Sequence, residues 1–211
     1  MRILAALLFQ TVMAGTASED DYEMGRKLLF GDGVPKNEVQ AREYFEKGAA
    51  LGSALSAHNL AWMYQEGIGG QVDLQKAIAL YTVAAKAGIA ESQYNLANKL
   101  WHGIGVEVNL PEAFHWMEQC ANQKIDRCEY ALGIMYYQGF WTPTSNEMAA
   151  YWFKVAADAG HAKAQYNLAV MLESGRGVAK DLALARRYYS LAAAQGHKDA
   201  ADALATMKSP N

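Results

Sequence analysis

The sequence lacks most features that divide a chain into separate parts or anchor it in a bilayer. It has only four prolines in 211 residues, and no low-complexity linker marks a domain boundary. Beyond the first residues, no apolar run approaches the ~20 residues that a transmembrane helix needs. No basic cluster stands out, and acidic residues outnumber basic ones by 22 to 19. We therefore expect neither nucleic acid nor a membrane surface as a partner.

Motifs for catalysis, cofactor binding and metal binding are also missing. The sequence contains no Gly-x-Ser-x-Gly, Ser-x-x-Lys or His-Glu-x-x-His motif. None of its five histidines pairs with Cys, Asp or Glu at metal-ligand spacing. The Gly-x-Gly turns follow predicted helices and not strands, so they are interpreted as turns and not as phosphate loops. We expect no cofactor, no bound metal and no enzymatic activity.

The first residues have the composition of a secretory signal. One arginine precedes a short apolar run, and small residues follow before an acidic stretch. This order predicts a signal peptide over residues 1–17, cleaved after Ala14 or Ala17. The alternative is an uncleaved anchor or a buried first helix. With cleavage, we expect the mature chain, residues 18–211, to be periplasmic or secreted.

What the sequence has in abundance is a repeat of 36 residues without insertions. One series of glycines recurs through the whole chain, at Gly31, Gly67, Gly103, Gly139 and Gly175. Two further glycine series, two alanine series and a series of large apolar pairs keep the same register. Trp141 interrupts the second glycine series, and Lys124 interrupts the third. A fixed period of this length is typical of a solenoid of stacked helix pairs.

Each repeat divides at its glycines into two helices. In the second repeat, Ala54–Glu66 has apolar residues at helical spacing, and residues 74–87 form a second helix after the N-cap Asp73. A further helix over residues 199–207 is predicted to cap the array. The sequence thus predicts an all-α solenoid of five helix pairs with a C-terminal capping helix. The repeats are expected at about 18–53, 54–89, 90–125, 126–161 and 162–197, with the cap at 198–211.

These residues resemble the Sel1-like repeat family, relatives of the tetratricopeptide repeats. The best match is residues 164–171, Ala-Gln-Tyr-Asn-Leu-Ala-Val-Met, together with Gly-Arg-Gly-Val at 175–178 and residues 181–196. The resemblance covers nearly all of the mature chain. It implies a right-handed α/α superhelix that binds another protein and lines its concave side with the first helix of each repeat. It does not imply a particular partner.

On the first helices, we expect the residues that do not pack in the core to contact the partner on the concave side. Large aromatic residues outside packing slots add to them, because such residues are enriched at binding hot spots. The predicted partner-binding residues are Asn59, Trp62, Glu66, Asn95, Asn98, Trp101, His102, Ile134, Tyr137, Gln138, Phe140 and Trp141. The alternative is that the aromatic residues cover local gaps and that the asparagines hydrogen-bond neighbouring repeats. Trp116 and Trp152 occupy packing slots, so we expect both in the core.

The two cysteines lie at the repeat junction that lacks its glycine. Cys120 falls late in one predicted helix and Cys128 early in the next, with Lys124 between them. An antiparallel helical turn would bring the two thiols together, and secretion would permit a disulfide. We predict this bond, which would hold a turn that the local sequence specifies poorly. Two small buried thiols are the alternative.

The function expected from these features is that of a non-catalytic periplasmic protein-binding module, monomeric when free. A sharper hypothesis, drawn from the family analogy, is an immunity protein that neutralises a phospholipase-type toxin delivered by type VI secretion. A structural or regulatory adaptor in the cell envelope is the alternative. An enzyme acting on β-lactams or the cell wall is a remote one.

Overall fold

The computed structural model describes the backbone of residues 2–207 and the side chains of residues 16–207. Within this part of the chain all regular structure is helical, so the predicted all-α class is confirmed. Most side chains of the predicted signal peptide, residues 1–17, lie outside the described residues, and its cleavage stays a prediction. Across the described residues, no helix combines the length and apolar character that a bilayer span requires.

The chain divides into two compact units, Met1–Asn109 and Leu110–Asn211. The first unit contains α1 (Arg2–Phe30), α2 (Glu38–Ala50), α3 (Ala54–Glu66), α4 (Leu74–Lys86) and α5 (Ala90–His102). The second unit contains α6 (Leu110–Ala121), α7 (Asp126–Gln138), α8 (Asn146–Asp158), α9 (Ala162–Ser174), α10 (Leu182–Ala194) and α11 (Lys198–Thr206). The short last helix is the predicted cap.

Helices that are consecutive in sequence pack against each other within each unit. A first helix packs on the second helix of its own repeat, as α3 does on α4 and α7 on α8. A second helix then packs on the first helix of the next repeat, as α4 does on α5 and α8 on α9. The capping helix α11 covers α10. A helix pair cannot bury its apolar stripe alone, so this stacking supplies the core.

The helix ends follow the predicted chemistry. Each first helix stops where a glycine takes the left-handed conformation, with φ between 69° and 76° at Gly31, Gly67, Gly103, Gly139 and Gly175. The second helices start at side-chain caps: the Asp73 carboxylate accepts from the Lys76 N–H at 3.0 Å, and the Asp181 carboxylate accepts from the Leu184 N–H at 2.9 Å. These boundaries therefore come from local residues that recur in register.

On each second helix, a small residue and a large residue lie on the buried face. The alanine slot is fully buried in every repeat, at Ala41, Ala77, Ala113, Ala149 and Ala185. In each large apolar pair the second member is buried, at Phe45, Tyr81, Met117, Phe153 and Tyr189. Trp116 is buried as predicted, but the core prediction for Trp152 is wrong, because it is only half-buried. Neighbouring helical residues point about 100° apart, and the interior position of this repeat belongs to Phe153.

The predicted disulfide is present. Cys120 and Cys128 are bonded, their Cα atoms are 5.8 Å apart, and both are fully buried. Between them Lys124 has a φ of 61°, where the equivalent glycines of the other repeats also have a positive φ. An L-residue with a side chain costs roughly 1–2 kcal/mol in this left-handed region. The disulfide therefore closes the one repeat junction whose residue disfavours the required backbone.

Replacing both cysteines by alanine should lower the free energy of unfolding by roughly 2–3 kcal/mol, because the unfolded chain gains the entropy of the opened nine-residue loop. Alanine suits both sites: Ala84, Ala156 and Ala192 are fully buried in the Cys120 slot, and Ala164 and Ala200 in the Cys128 slot. The measurement is urea unfolding of the oxidised wild type and of the Cys120→Ala/Cys128→Ala variant.

Adding Lys124→Gly to the alanine variant should restore about 0.5–1 kcal/mol, the strain relieved less the extra freedom of glycine in the unfolded chain. The matched control is Gly160→Lys, which places lysine in the equivalent turn of the next repeat and should destabilise. If Lys124→Gly destabilises the protein, the strain assigned to this turn is wrong.

Candidate functional site

The second unit contains an open cleft of about 430 Å³ between its first helices, α7 and α9. Its lining comes from four residues of α7, one of α8, five of α9 and one of the following turn: Tyr130, Ile134, Tyr137, Gln138, Phe153, Tyr166, Asn167, Val170, Met171, Ser174 and Arg176. We call this the α7–α9 cleft. It contains three predicted contact residues, Ile134, Tyr137 and Gln138, and so the structure brings these three together.

The cleft follows from the repeat register. Residues 36 apart occupy the same slot on α7 and α9, so the two walls carry matching positions, such as Ile134 opposite Val170. Phe153 and Met171, each only 2% exposed, form the floor. Val170 and Tyr137 stand at the rim and are 39% and 38% exposed. A buried apolar floor under an exposed apolar rim is a surface on which a partner's apolar side chains could be desolvated.

The polar groups of the cleft are held in place by contacts within this unit. The Arg176 guanidinium donates to the Tyr137 hydroxyl at 2.7 Å and lies near its ring. Burial raises the pKa of Tyr130, and a hydrogen bond from the Asn167 side chain opposes that shift. Both arrangements connect one repeat to the next. The rim therefore presents an oriented Arg–Tyr pair beside apolar groups.

The lining provides hydrogen bonding and apolar contact but no pair of groups suited to nucleophilic or acid–base catalysis. Its titratable side chains are tyrosines and one arginine. Its single alcohol, Ser174, donates to the Val170 carbonyl of its own helix at 2.9 Å. In residues 16–207 no three or more His, Cys, Asp or Glu side chains group closely enough to hold a metal ion. This composition is that of a contact surface.

A half-buried histidine supports one wall of the cleft. The His161 ring stacks on Tyr130 with centroids 4.5 Å apart. Its Nδ1 accepts the Ala164 N–H at 3.2 Å, and so the neutral ring caps α9. Burial lowers the pKa of His161, while the charges of Asp126 and Lys163 act in opposite directions. The start of α9 thus depends on a histidine that remains neutral.

The other two predicted contact residues of the second unit, Phe140 and Trp141, do not line the cleft. They follow the end of α7 at Gly139. Phe140 is half-buried, whereas Trp141 is 59% exposed and has a φ of 67°. Enclosure of Trp141 inside the protein would have contradicted its predicted role, and the ring is instead exposed. Its contact with a partner stays a prediction.

Trp141 occupies a slot that elsewhere requires glycine for two reasons. Gly69, Gly105 and Gly177 have the same left-handed backbone, and a Cβ added to any of them would come closer than 3.0 Å to the first residue of an earlier helix. These glycines therefore let a turn pack closely against the preceding repeat. At Trp141 the turn keeps the left-handed backbone and presents an indole ring to solvent, an unusual conformation for a large side chain.

The remaining predicted contact residues lie in the first unit, on α3 and α5: Asn59, Trp62, Glu66, Asn95, Asn98, Trp101 and His102. All are half-buried or exposed. The Asn59 amide donates to the Leu55 carbonyl of its own helix at 3.0 Å. Glu66 accepts from Gln65 at 2.7 Å, and the rings of Trp101 and His102 stack. Their contact with a partner remains a prediction.

Sequence reasoning missed Lys99, which lies among these residues on α5. Lys99 is only 5% exposed, and its Nζ lies 5.8 Å from the centroid of the buried Tyr81 ring. Burial lowers the pKa of Lys99, and the charge of Glu66 opposes that shift. The same slot in other repeats holds buried methionines, Met63, Met135 and Met171. A charged residue in a methionine slot was the signal that could have identified it.

A model of the Sel1 repeat family matches five segments of the chain, residues 19–53, 54–89, 90–124, 126–161 and 162–197. The match covers most of the sequence and contains every predicted contact residue. Two of the solved structures that resemble the chain also share more than a quarter of their aligned residues with it.

One is c5321, a protective antigen of uropathogenic Escherichia coli with an SLR fold, with a TM-score of 0.86 and 29% identity. That match covers 89% of this chain and 40% of the antigen, so the chain spans less than half of that protein. A Sel1 repeat protein from Oxalobacter formigenes has a TM-score of 0.81 and 26% identity over 89% of this chain and 74% of its own. The immunity protein Pa5087 from Pseudomonas aeruginosa has a TM-score of 0.50 and 23% identity. That match covers 87% of this chain and 68% of the immunity protein.

Acidification should destabilise the second unit through His161. Its pKa in the folded chain lies below the ordinary 6.5, so the unfolded chain takes up the proton first. The stability from this group is complete above about pH 6.5 and is lost as the pH falls through the folded pKa. His161→Ser, which copies the N-cap Ser53 of α3, should flatten the loss of stability between about pH 7.5 and 5 in urea unfolding.

The control is His115→Ser, which replaces an exposed histidine that caps no helix. This variant should lose stability between about pH 7.5 and 5 to the same extent as the wild type. Equal slopes for the wild type and His161→Ser would show that capping by the neutral ring does not matter.

Proposed function

Because the chain belongs to the Sel1 repeat family, we propose that it is a non-catalytic protein-binding module whose partner contacts the α7–α9 cleft. The observation that carries this proposal is the exposed apolar rim of Val170 and Tyr137 above the buried floor of Phe153 and Met171. A partner that inserts apolar side chains gains their desolvation without reorganising the floor, because the floor is already packed.

The Arg176–Tyr137 pair supports the same proposal. Arginine and tyrosine are enriched at the energetic centres of protein interfaces, and here the hydrogen bond between them limits their freedom before binding. Less side-chain entropy is then lost when a partner docks. The cleft volume of about 430 Å³ suits a few side chains of one segment more than a whole domain. We infer that a protruding loop or helix of the partner enters the cleft.

The cell envelope or the exterior is the proposed location. The disulfide between Cys120 and Cys128 supports it, since such bonds persist in oxidising compartments. The predicted signal peptide is consistent with the same location.

Photo-cross-linking in cells tests the cleft directly. A benzoyl-phenylalanine at the exposed rim position Gln138 should give a discrete protein adduct. The same group at Lys154, exposed on α8, should not. Val170→Asp places a charge on the apolar rim and should reduce the Gln138 adduct at least about tenfold, because a carboxylate would be desolvated there. Equal adducts from both positions, or an adduct insensitive to Val170→Asp, would contradict the role of the cleft.

Trp141→Ala tests the second proposed contact, the turn after α7. Since the ring is 59% exposed, its removal should leave the melting temperature unchanged and weaken binding of the cross-linked partner by ~2 kcal/mol or more. Tyr151→Ala removes a comparably exposed ring from α8 and serves as the matched control. A drop in melting temperature without loss of affinity would favour the alternative that Trp141 only covers a local gap.

The immunity hypothesis is a finer version of this proposal and rests on family analogy. The likeness to Pa5087, at 23% identity, shows a shared fold alone. Neutralisation would require the partner to be a toxin, so expression of the chain should rescue cells from a periplasmic phospholipase-type effector. Co-purification of a constitutive envelope protein from unstressed cells would instead favour an adaptor.

A further inference from the structure

The α7–α9 cleft contains one charged side chain, that of Arg176. The other lining residues are apolar or neutral, and none carries a carboxylate, an ammonium group or an imidazole. Arg176 lies in the turn after α9 and is exposed. Its guanidinium reaches α7, where it donates to the Tyr137 hydroxyl at 2.7 Å. Arg176 therefore places a positive charge at one end of a cleft whose floor is apolar.

Neither the turn nor an internal ion pair explains this arginine. The slot between the two turn glycines is filled in the other repeats by Asp32, Ile68, Ile104 and Phe140. The turn thus forms without an arginine. Within residues 16–207 the guanidinium makes no ion pair. Glu173, the acidic residue nearest to Arg176 in sequence, instead accepts from Tyr189 of α10 at 2.8 Å. The described chain therefore supplies no counter-charge to Arg176.

The hydrogen bond between Arg176 and Tyr137 leaves donors available on both side chains. A guanidinium has five N–H groups, and the Tyr137 hydroxyl accepts from one nitrogen. Because that hydroxyl is the acceptor, it can still donate its own proton. Both side chains are exposed at the rim, so an acceptor from outside can reach them. A carboxylate has two oxygens, which match one guanidinium N–H and one phenol O–H. A phosphate dianion fits less well, because the lining contains no second cation.

We propose that the partner segment entering the α7–α9 cleft carries an aspartate or glutamate whose side-chain carboxylate binds Arg176 and Tyr137. An apolar side chain close to this acidic residue packs on Phe153 and Met171, which form the floor. The inference rests on the proposed protein-binding function and names the chemistry of the segment that the partner presents.

The length of the cleft sets the spacing of these two partner residues. The α7 lining runs from Tyr130 to Gln138, a rise of about 12 Å, which roughly four extended residues cover. The acidic and apolar residues share one face when they are two positions apart in a strand, or three to four apart in a helix. Polar side chains line both ends of the cleft, Tyr130 and Asn167 at one and Gln138 and Ser174 at the other. This arrangement suits a segment that passes through the cleft more than a chain terminus.

Peptide selection on the full chain tests the acidic preference. The probe is a phage library of random dodecapeptides, and peptides that fail to bind Val170→Asn, a neutral change at the rim, are counted as cleft-dependent. These peptides should be enriched in Asp or Glu about threefold or more over the unselected library, near an apolar residue. The enrichment should disappear when the selection is repeated on Arg176→Glu. The matched control is Arg187→Glu, which replaces an exposed arginine of α10 outside the cleft and should keep the enrichment.

Three results of this selection would overturn the proposal. They are a lack of acidic enrichment, an enrichment that persists on Arg176→Glu, and the absence of any cleft-dependent peptide.

Calorimetry with one selected peptide separates the charge from the shape of the acidic residue. Replacing that residue by its amide should weaken binding to the wild type about tenfold or more. On Arg176→Gln the acidic peptide and its amide analogue should bind about equally, because the charged donor is gone. Tyr137→Phe keeps the ring and should weaken binding of the acidic peptide severalfold. If the amide analogue is still about tenfold weaker on Arg176→Gln, Arg176 does not bind the carboxylate.

A shortened peptide identifies the source of the carboxylate. It ends at the acidic position with glycine, so that its terminal carboxylate replaces the side chain. Tighter binding of this peptide than of its parent would assign the cleft to a chain terminus and refute the side-chain proposal. Failure here is separable from failure of the proposed function. A cross-link from Gln138 that depends on Val170, without any acidic preference, refutes this inference alone, whereas loss of both refutes the cleft as the interface.

Discussion

A fully buried alanine recurs on the second helix of every repeat, and the close packing of helices within each unit depends on it. Larger side chains at Ala77 or Ala149 would separate the helices and leave the neighbouring interior residue, such as Phe153, without close partners. Because this contact recurs every 36 residues, the same surfaces of each first helix stay outside the core. The residues on those surfaces are free to differ among repeats without affecting the packing.

Two pairs of equivalent residues, one in each unit, show what that freedom permits. In the second unit, Phe153 and Met171 make an apolar base for a cleft, while Tyr81 and Lys99 occupy the same slots in the first unit. The backbone positions are equivalent, but one pair of side chains is apolar and the other carries a phenol and an ammonium group. Binding energy in such surfaces concentrates at a few side chains. A repeat array can therefore acquire specificity one slot at a time.

Departures from the repeat keep its backbone and change its chemistry. Lys124 and Trp141 both stand where other repeats have glycine, and both have a positive φ. Such conformations persist only when the surroundings enforce them. For Lys124 the enforcement includes the adjacent Cys120–Cys128 bond. For Trp141 the outcome is an exposed ring on a turn, and residues held in unfavourable backbone cluster at functional sites.

Local and periodic features were readable from the sequence: the α3 bounds, the capping residues and the disulfide all follow from residues in register, because helix ends and turns depend on near neighbours. Only the tertiary structure decided which large residues are interior. Trp152 and Phe153 are adjacent, and helix packing alone selects Phe153. The tertiary structure also revealed that Lys99 is buried, because the sequence does not show whether a charged residue is buried. The positions of side chains depend on contacts between helices, and a periodic pattern records those contacts only on average.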